Sequence, residues 1–80
     1  MKARNDFKYN PSDYPSLGFY LNDINKKYND YLSSNKNEIK LIMLKEAINE
    51  LRNGLKSAVL LKEISPEEAE KMLDYYWELI

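Results

Sequence analysis

The longest amphipathic stretch of the chain runs from Glu38 to about Lys62 and predicts one long helix. Its apolar residues recur at intervals of three and four, the spacing of one helix face, at Leu41, Leu44, Ala47, Ile48, Leu51, Leu55, Ala58 and Val59. Such a helix would be roughly 37 Å long. With Met43 and Leu61 added, the apolar arc covers roughly half of the circumference, whereas a surface helix needs only about 100°. We therefore expect this helix to pack against two neighbours, or against one neighbour and a second copy of the chain.

Gly54 lies at the edge of this apolar arc. A glycine inside a helix costs roughly 1 kcal/mol relative to alanine, so its presence needs a structural reason. Close approach of a neighbouring backbone is the interpretation that we favour, and a bend of the helix is the alternative.

A second helical pattern precedes the central stretch and runs from Pro15 or Ser16 to Leu32, with the proline in the first turn. One face of it is apolar and carries Leu17, Tyr20, Leu21, Ile24, Tyr28, Tyr31 and Leu32. Phe19 points away from that face, and an exposed phenylalanine is a candidate partner contact because its ring buries a large area. The turn-forming residues 33–37 then break the pattern, and Asn35 or Asn37 is the predicted cap of the central helix.

The clearest local signal starts the last helix, where Ser65-Pro66-Glu67-Glu68 forms a capping box with proline at the first helical position. Ile64 and Ala69 stand at the positions of a hydrophobic staple. The inward face is predicted to carry Ala69, Met72, Leu73, Tyr76, Trp77 and Ile80, with Tyr75 and Leu79 at its rim. Because the linker from Lys62 to Ile64 is so short, this helix must form an antiparallel hairpin or a sharp corner with the central one.

Residues 1–15 lack helical periodicity and are predicted to form a non-helical N-terminal arm. Phe7, Tyr9 and Tyr14 give the arm apolar surface to bury, either over its own core or against a partner. We therefore predict an all-α fold: a three-helix bundle at residues 16–80, running up, down and up around a long central helix. Tyr20, Tyr28, Tyr31 and Tyr76 are expected in the core of this bundle, with their hydroxyl groups reaching its rim.

Composition excludes most kinds of catalytic chemistry. The 80 residues allow a single domain, and they include no cysteine and no histidine. Disulfides, thiolate metal sites and the commonest general base are therefore absent. The only glycines are Gly18 and Gly54, so no phosphate-binding loop is present. The carboxylates of Glu46 and Glu50 lie on a solvated face where nothing raises a pKa. We predict a non-enzymatic protein without a cofactor.

The net charge of −1 gives no general attraction to nucleic acid or to an anionic membrane. The charge is nevertheless uneven, because the last helix region is strongly acidic and Lys71 is its only cation. This asymmetry favours pairing of helices within the bundle or across a dimer. No apolar run approaches the roughly 20 residues of a membrane span, and the polar opening at residues 1–6 resembles no signal peptide. We expect a cytoplasmic protein.

Two groups of residues are candidates for contact with another molecule. On the central helix, Ile42 and Leu60 lie off the apolar face beside Lys45, Arg52 and Lys56, although such a strip is also typical of an ordinary solvated face. The second group comprises aromatic residues that three helices cannot all hide. The predicted partner-binding residues are Phe7, Tyr9, Tyr14, Phe19, Ile42, Lys45, Arg52, Lys56, Leu60 and Tyr75.

The leading functional hypothesis is a small protein-binding regulator or inhibitor that blocks a larger protein. Frequent Asn, Lys, Ile and Tyr suggest an AT-rich coding sequence, as in low-GC Gram-positive bacteria, so a phage or mobile element is a candidate source. The second hypothesis is an obligate homodimer that acts as a structural or assembly protein. The third is a nucleic-acid-associated regulator using Lys45, Arg52 and Lys56, which is disfavoured because the acidic last helix opposes phosphate.

Overall fold

The computed structural model describes residues 7–80, so the first part of the predicted arm, at 1–6, lies outside the described residues. The described residues form three α-helices and no strand: α1 at Gly18–Ser33, α2 at Glu38–Leu60 and α3 at Pro66–Glu78. The predicted all-α fold with a long central helix is confirmed. Two short 3-10 turns, Pro11–Asp13 and Pro15–Leu17, lead into α1, and Pro15 opens the second of them.

The predicted helix caps are present. The Asn37 side chain accepts hydrogen bonds from the backbone N–H groups of Ile39 and Lys40, at 2.8 and 3.3 Å. The Ser65 hydroxyl accepts one from the N–H of Glu68 at 3.1 Å. These bonds satisfy amide groups that have no partner within their own helix, which fixes where α2 and α3 begin.

The central helix ends two residues earlier than the apolar pattern suggested. Lys62 has a φ of 61°, in the left-handed region, so the chain turns sharply immediately after α2. Leu61, which we assigned to the apolar arc, is therefore 70% exposed rather than packed. The short connection that results places α3 directly beside the end of α2.

The core is arranged around α2, against which both other helices pack. Within the described residues, no Cα atom of α1 lies within 8 Å of a Cα atom of α3, so these two helices do not close the bundle against each other. Part of the arm bridges them instead, because Phe7 stacks edge-on against Tyr28 of α1 while Tyr9 stacks against Tyr75 of α3. The arm is thus a structural element of the core.

The packed face of α3 is narrower than predicted. Ala69, Met72 and Tyr76 are buried, whereas Trp77 and Ile80, both expected to point inward, are 36% and 40% exposed. A broad inward face would need α1 as a second neighbour, and α1 does not reach α3. Leu73 and Trp77 consequently lie beside the contact between α2 and α3 rather than within it.

Gly54 allows α1 to approach α2 closely. A Cβ atom placed on Gly54 would lie 2.5 Å from Cε2 of Tyr20, far inside van der Waals contact. The predicted close approach is therefore real, although the neighbour is an aromatic ring rather than backbone. No methyl group fits there unless the ring moves.

We expect Gly54→Ala to lower the free energy of unfolding by about 1 kcal/mol, because the overpacking cost exceeds the gain in helix propensity. In a Tyr20→Ala background the ring is gone, and the same substitution should instead stabilise the protein by about 1 kcal/mol. Urea denaturation of all four proteins measures this reversal. Equal effects of Gly54→Ala in both backgrounds would contradict the contact.

A candidate protein-binding groove between α2 and α3

An open groove runs between the C-terminal half of α2 and the first two turns of α3, with a cavity volume of about 520 Å³. Its lining is mostly apolar and consists of Arg52, Leu55, Lys56, Val59, Leu60, Pro66, Ala69, Glu70 and Leu73. The residues recur at intervals of three and four on each helix, so each wall is one continuous helix stripe. The groove lies beside the contact between α2 and α3, where Ala69 is buried but Leu73 and Val59 are only half-buried.

Opposite charges mark the two rims of the groove. Arg52 and Lys56 are exposed on the α2 rim, and Glu70 is exposed on the α3 rim. Among the described residues, the ion pair that forms is Lys27 with Asp23 on α1, at 2.9 Å. The charged groups at the rims therefore do not neutralise each other across the groove, and each can pair with a molecule that enters it.

Three of the predicted partner-binding residues, Arg52, Lys56 and Leu60, come together in this groove. Leu60 is 83% exposed, the largest exposure of any large apolar side chain among the described residues. Ile42 and Lys45 are exposed on the same side of α2, nearer its N-terminus, and do not line the groove. The predicted strip on the central helix is thus divided into a groove wall and a solvated extension.

The aromatic residues of the arm pack onto the bundle itself. Tyr9 is only 5% exposed, and its ring centroid lies 5.3 Å from that of Tyr75 and 6.1 Å from that of Tyr14. The backbone N–H of Lys8 donates a hydrogen bond to the Tyr75 hydroxyl at 3.1 Å. Because it is buried, Tyr9 is removed from the candidate partner surface.

The other three aromatic candidates near the arm, Phe7, Tyr14 and Tyr75, are half-buried and pack against the same core. Their packing agrees with the first of our two interpretations, in which the arm covers its own core. The physical reason is the gap between α1 and α3, which these rings occupy. Much of their aromatic surface is therefore packed against the bundle while the arm lies in this position.

Phe19 is the aromatic candidate that stays on the surface, at 79% exposure. Its ring stacks edge-on with that of Tyr20, with centroids 5.8 Å apart. Tyr20 packs on Gly54, and Gly54 and Lys56 are two residues apart, about 200° round the helix. Phe19 therefore lies away from the groove and belongs to a separate surface.

The hydroxyl group of Tyr76 is buried without a hydrogen-bond partner among the described residues. We expected the core tyrosines to place their hydroxyls at the rim, and Tyr76, which is fully buried, does not. Burial raises the pKa of Tyr76 above its usual value, with smaller contributions from neighbouring tyrosines. Burial, followed by the charge of Glu68, also raises the pKa of Tyr14.

Tyr76→Phe is expected to keep or slightly raise the free energy of unfolding at pH 7, because it removes a hydroxyl whose desolvation is uncompensated. Because the pKa of Tyr76 is raised in the folded protein, folding favours the protonated phenol. The stability linked to this preference is fully present below about pH 10, the pKa of an unfolded tyrosine, and is lost as the pH rises further. Urea denaturation from pH 7 to 11 should therefore show a smaller alkaline loss in the variant. Parallel curves, or a clear loss at pH 7, would contradict this.

Sequence reasoning missed the α3 wall of the groove. Pro66, Glu70 and Leu73 were assigned to capping, to acidic surface and to the core, respectively. Their spacing, together with the short linker from Lys62 to Ile64, was the available signal, since it places this stripe of α3 beside the last turns of α2. What it could not give was the direction in which α3 tilts and hence whether the stripe is covered.

No protein-family model, no curated protein sequence and no solved structure matches the chain. Within residues 7–80, none of the helices is both long enough and apolar enough to cross a membrane.

Proposed function

We propose that this chain is a non-enzymatic protein-binding module, a small regulator or inhibitor that acts by docking on another protein chain through the groove between α2 and α3. The observation that carries the proposal is the groove itself. It has a volume of about 520 Å³, an apolar lining, and charged residues on both rims that do not pair with each other. Helix-in-groove recognition uses this combination, in which an apolar helix face fills the floor and polar residues flank it.

The open shape and the apolar lining of the groove favour a protein segment over other ligands. Leu55, Val59, Ala69 and Leu73 offer carbon surface along both walls, whereas polar groups that would orient a small molecule are confined to the rims. The apolar centre with a polar rim is the usual anatomy of a protein interface. Burial of Leu60 by the docked chain would remove most of its exposed area from water, which drives association.

Nucleic acid is a weaker candidate for this surface. Arg52 and Lys56 could contact phosphates, but Glu70 stands on the opposite rim, and the adjoining residues Glu67 and Asp74 of α3 are also acidic. A phosphate backbone that approached the two cations would meet these carboxylates, and its binding depends on net neutralisation of charge.

A site-specific photocrosslinking experiment tests the proposal. A benzophenone side chain is placed at Leu60 in the groove and, in a matched control, at exposed Glu46, which lies roughly 21 Å from Leu60 along α2 and does not line the groove. Both proteins are irradiated in lysate of cells that encode the chain. The proposal expects a discrete protein adduct from position 60 that is missing from position 46 and is lost when Leu73→Glu is added.

Two results would overturn the proposal. One is the absence of any adduct from position 60, and the other is an identical set of adducts from both positions. Leu73→Glu is suited to this test because Leu73 is half-buried at the groove wall rather than in the core. Far-UV circular dichroism of the variant verifies that the helices remain formed.

A further inference from the structure

The face that contains the groove carries opposite charges on its two halves. On the α2 half, Lys45, Arg52 and Lys56 are exposed at intervals that place them on one side of the helix. On the α3 half, the exposed residues next to the groove are Glu70 and Asp74, which are followed by Glu67 at the edge. The half-buried groove residues Val59 and Leu73 separate the two halves, and Trp77 follows Leu73 by one turn on α3.

This pattern is complementary to itself. A two-fold axis that runs along the groove places α2 of one copy over α3 of the other, and the same pairing then occurs twice. Arg52 and Lys56 of each copy would meet Glu70 and Asp74 of its partner. An axis across the groove would instead stack α2 on α2 and bring like charges together, so charge selects the first arrangement.

We propose that the occupant of the groove is a second copy of this chain, with the two groove faces packed together and α3 of each copy lying over α2 of the other. The inference rests on the proposed function, since it names the partner of the same docking site. α3 has the side chains that this arrangement requires: exposed Trp77 and half-buried Leu73 supply an apolar edge, and exposed Glu70 and Asp74 flank it with acid.

The size of the molecule is compatible with such a dimer. The molecule extends 38 and 20 Å along its two longest axes. The area of one whole side is therefore comparable with the roughly 800 Å² per partner that stable interfaces bury. In the dimer, Leu60 and Trp77 would leave water together, and the four rim charges of each copy would gain partners that they lack within one chain. Small domains commonly gain stability from such association.

Charge reversal on one half of the face, and then on the other, provides the test. Sedimentation velocity of the wild-type chain from about 1 µM to 1 mM should show a monomer–dimer equilibrium. The variants R52E/K56E and E70K/D74K should each raise the dimer Kd at least about tenfold, because each places like charges opposite one another. The control E46K/E50K makes two charge reversals on α2 outside the groove and should change the Kd little.

Mixing the two reversed variants is the decisive step. In a one-to-one mixture, acidic α2 of R52E/K56E faces basic α3 of E70K/D74K, and the second pairing joins basic α2 to acidic α3. A heterodimer should therefore form with a Kd within roughly tenfold of the wild-type value. Recovery also demonstrates that the variants are folded, since unfolded chains would not associate in this specific way.

Three outcomes would overturn the inference: a wild-type chain that stays monomeric throughout, a wild-type dimer that survives both reversals, or a mixture that fails to recover. A monomeric chain whose position 60 still crosslinks to another protein refutes the second copy but leaves the proposed function standing. If position 60 forms no adduct, even with itself, both fail together. An adduct of twice the chain mass from position 60 supports the dimer.

Discussion

Tyr9→Ala is expected to lower the free energy of unfolding by about 3–5 kcal/mol, the cost of removing a large aromatic side chain from a protein core. Tyr9 belongs to the arm rather than to a helix, yet it is 5% exposed and packs against three other tyrosine rings. Removing it leaves the gap between α1 and α3 to the half-buried rings of Phe7, Tyr14 and Tyr75. Most of the stability of so small a domain would be lost.

Phe19→Ala is the matched control, since it removes a similar ring from a position that is 79% exposed. It should change the free energy of unfolding by no more than about 0.5 kcal/mol. Urea denaturation followed by circular dichroism measures both variants. A mild effect of Tyr9→Ala would mean that the arm does not complete the core, and unfolding by Phe19→Ala would mean that Phe19 is packed.

Leu51→Ala should cost about 2–5 kcal/mol, because the side chain is fully buried at the middle of α2 and its loss leaves a cavity between both neighbouring helices. Leu60→Ala makes the same change on the same helix at an 83% exposed position, so it should alter stability by less than about 0.5 kcal/mol. Thermal or urea melts of the pair separate burial from helix propensity.

The same pair distinguishes the core from the groove. Leu60→Ala should weaken dimer formation while leaving the melt of the dilute monomer unchanged, because Leu60 lines the groove and touches little else. If Leu51→Ala were tolerated as well as Leu60→Ala, the arrangement of α2 as the centre of the core would be wrong.

Local signals predicted the N-termini of α2 and α3 well. Asn37 and Ser65 cap α2 and α3, because a capping side chain bonds to amides only two or three residues away and needs no tertiary context. The buried stripe of α2, from Leu44 to Ala58, also follows directly from periodicity. Gly54 could also be assigned to a close contact from the sequence, because a glycine inside a helix is costly and needs a structural reason.

Tertiary features were harder to predict, as Tyr9 and Trp77 demonstrate. We predicted Tyr9 as a partner contact and Trp77 as an inward residue, and both predictions depended on whether α1 reaches α3. The crossing angles of the helices decide this, and the spacing of apolar residues along the sequence does not. Since the two helices stay apart, Tyr9 becomes core and Trp77 becomes surface. Arg52, Lys56 and Leu60 were selected from the sequence as candidate contacts, but the groove itself was not predicted, because its α3 wall depends on a tilt that the hydrophobic pattern does not encode.

The bridge made by the arm also sets an order for synthesis and folding. The hydrogen bond from Lys8 to Tyr75 joins residues 67 positions apart, so the ribosome completes the ring that receives Tyr9 long after Tyr9 has emerged. Closing so long a loop carries an entropic cost that local helix contacts avoid. Pairing of α1 with α2 closes a shorter loop and can form first, whereas the site of Tyr9 is complete only when α3 has packed on α2.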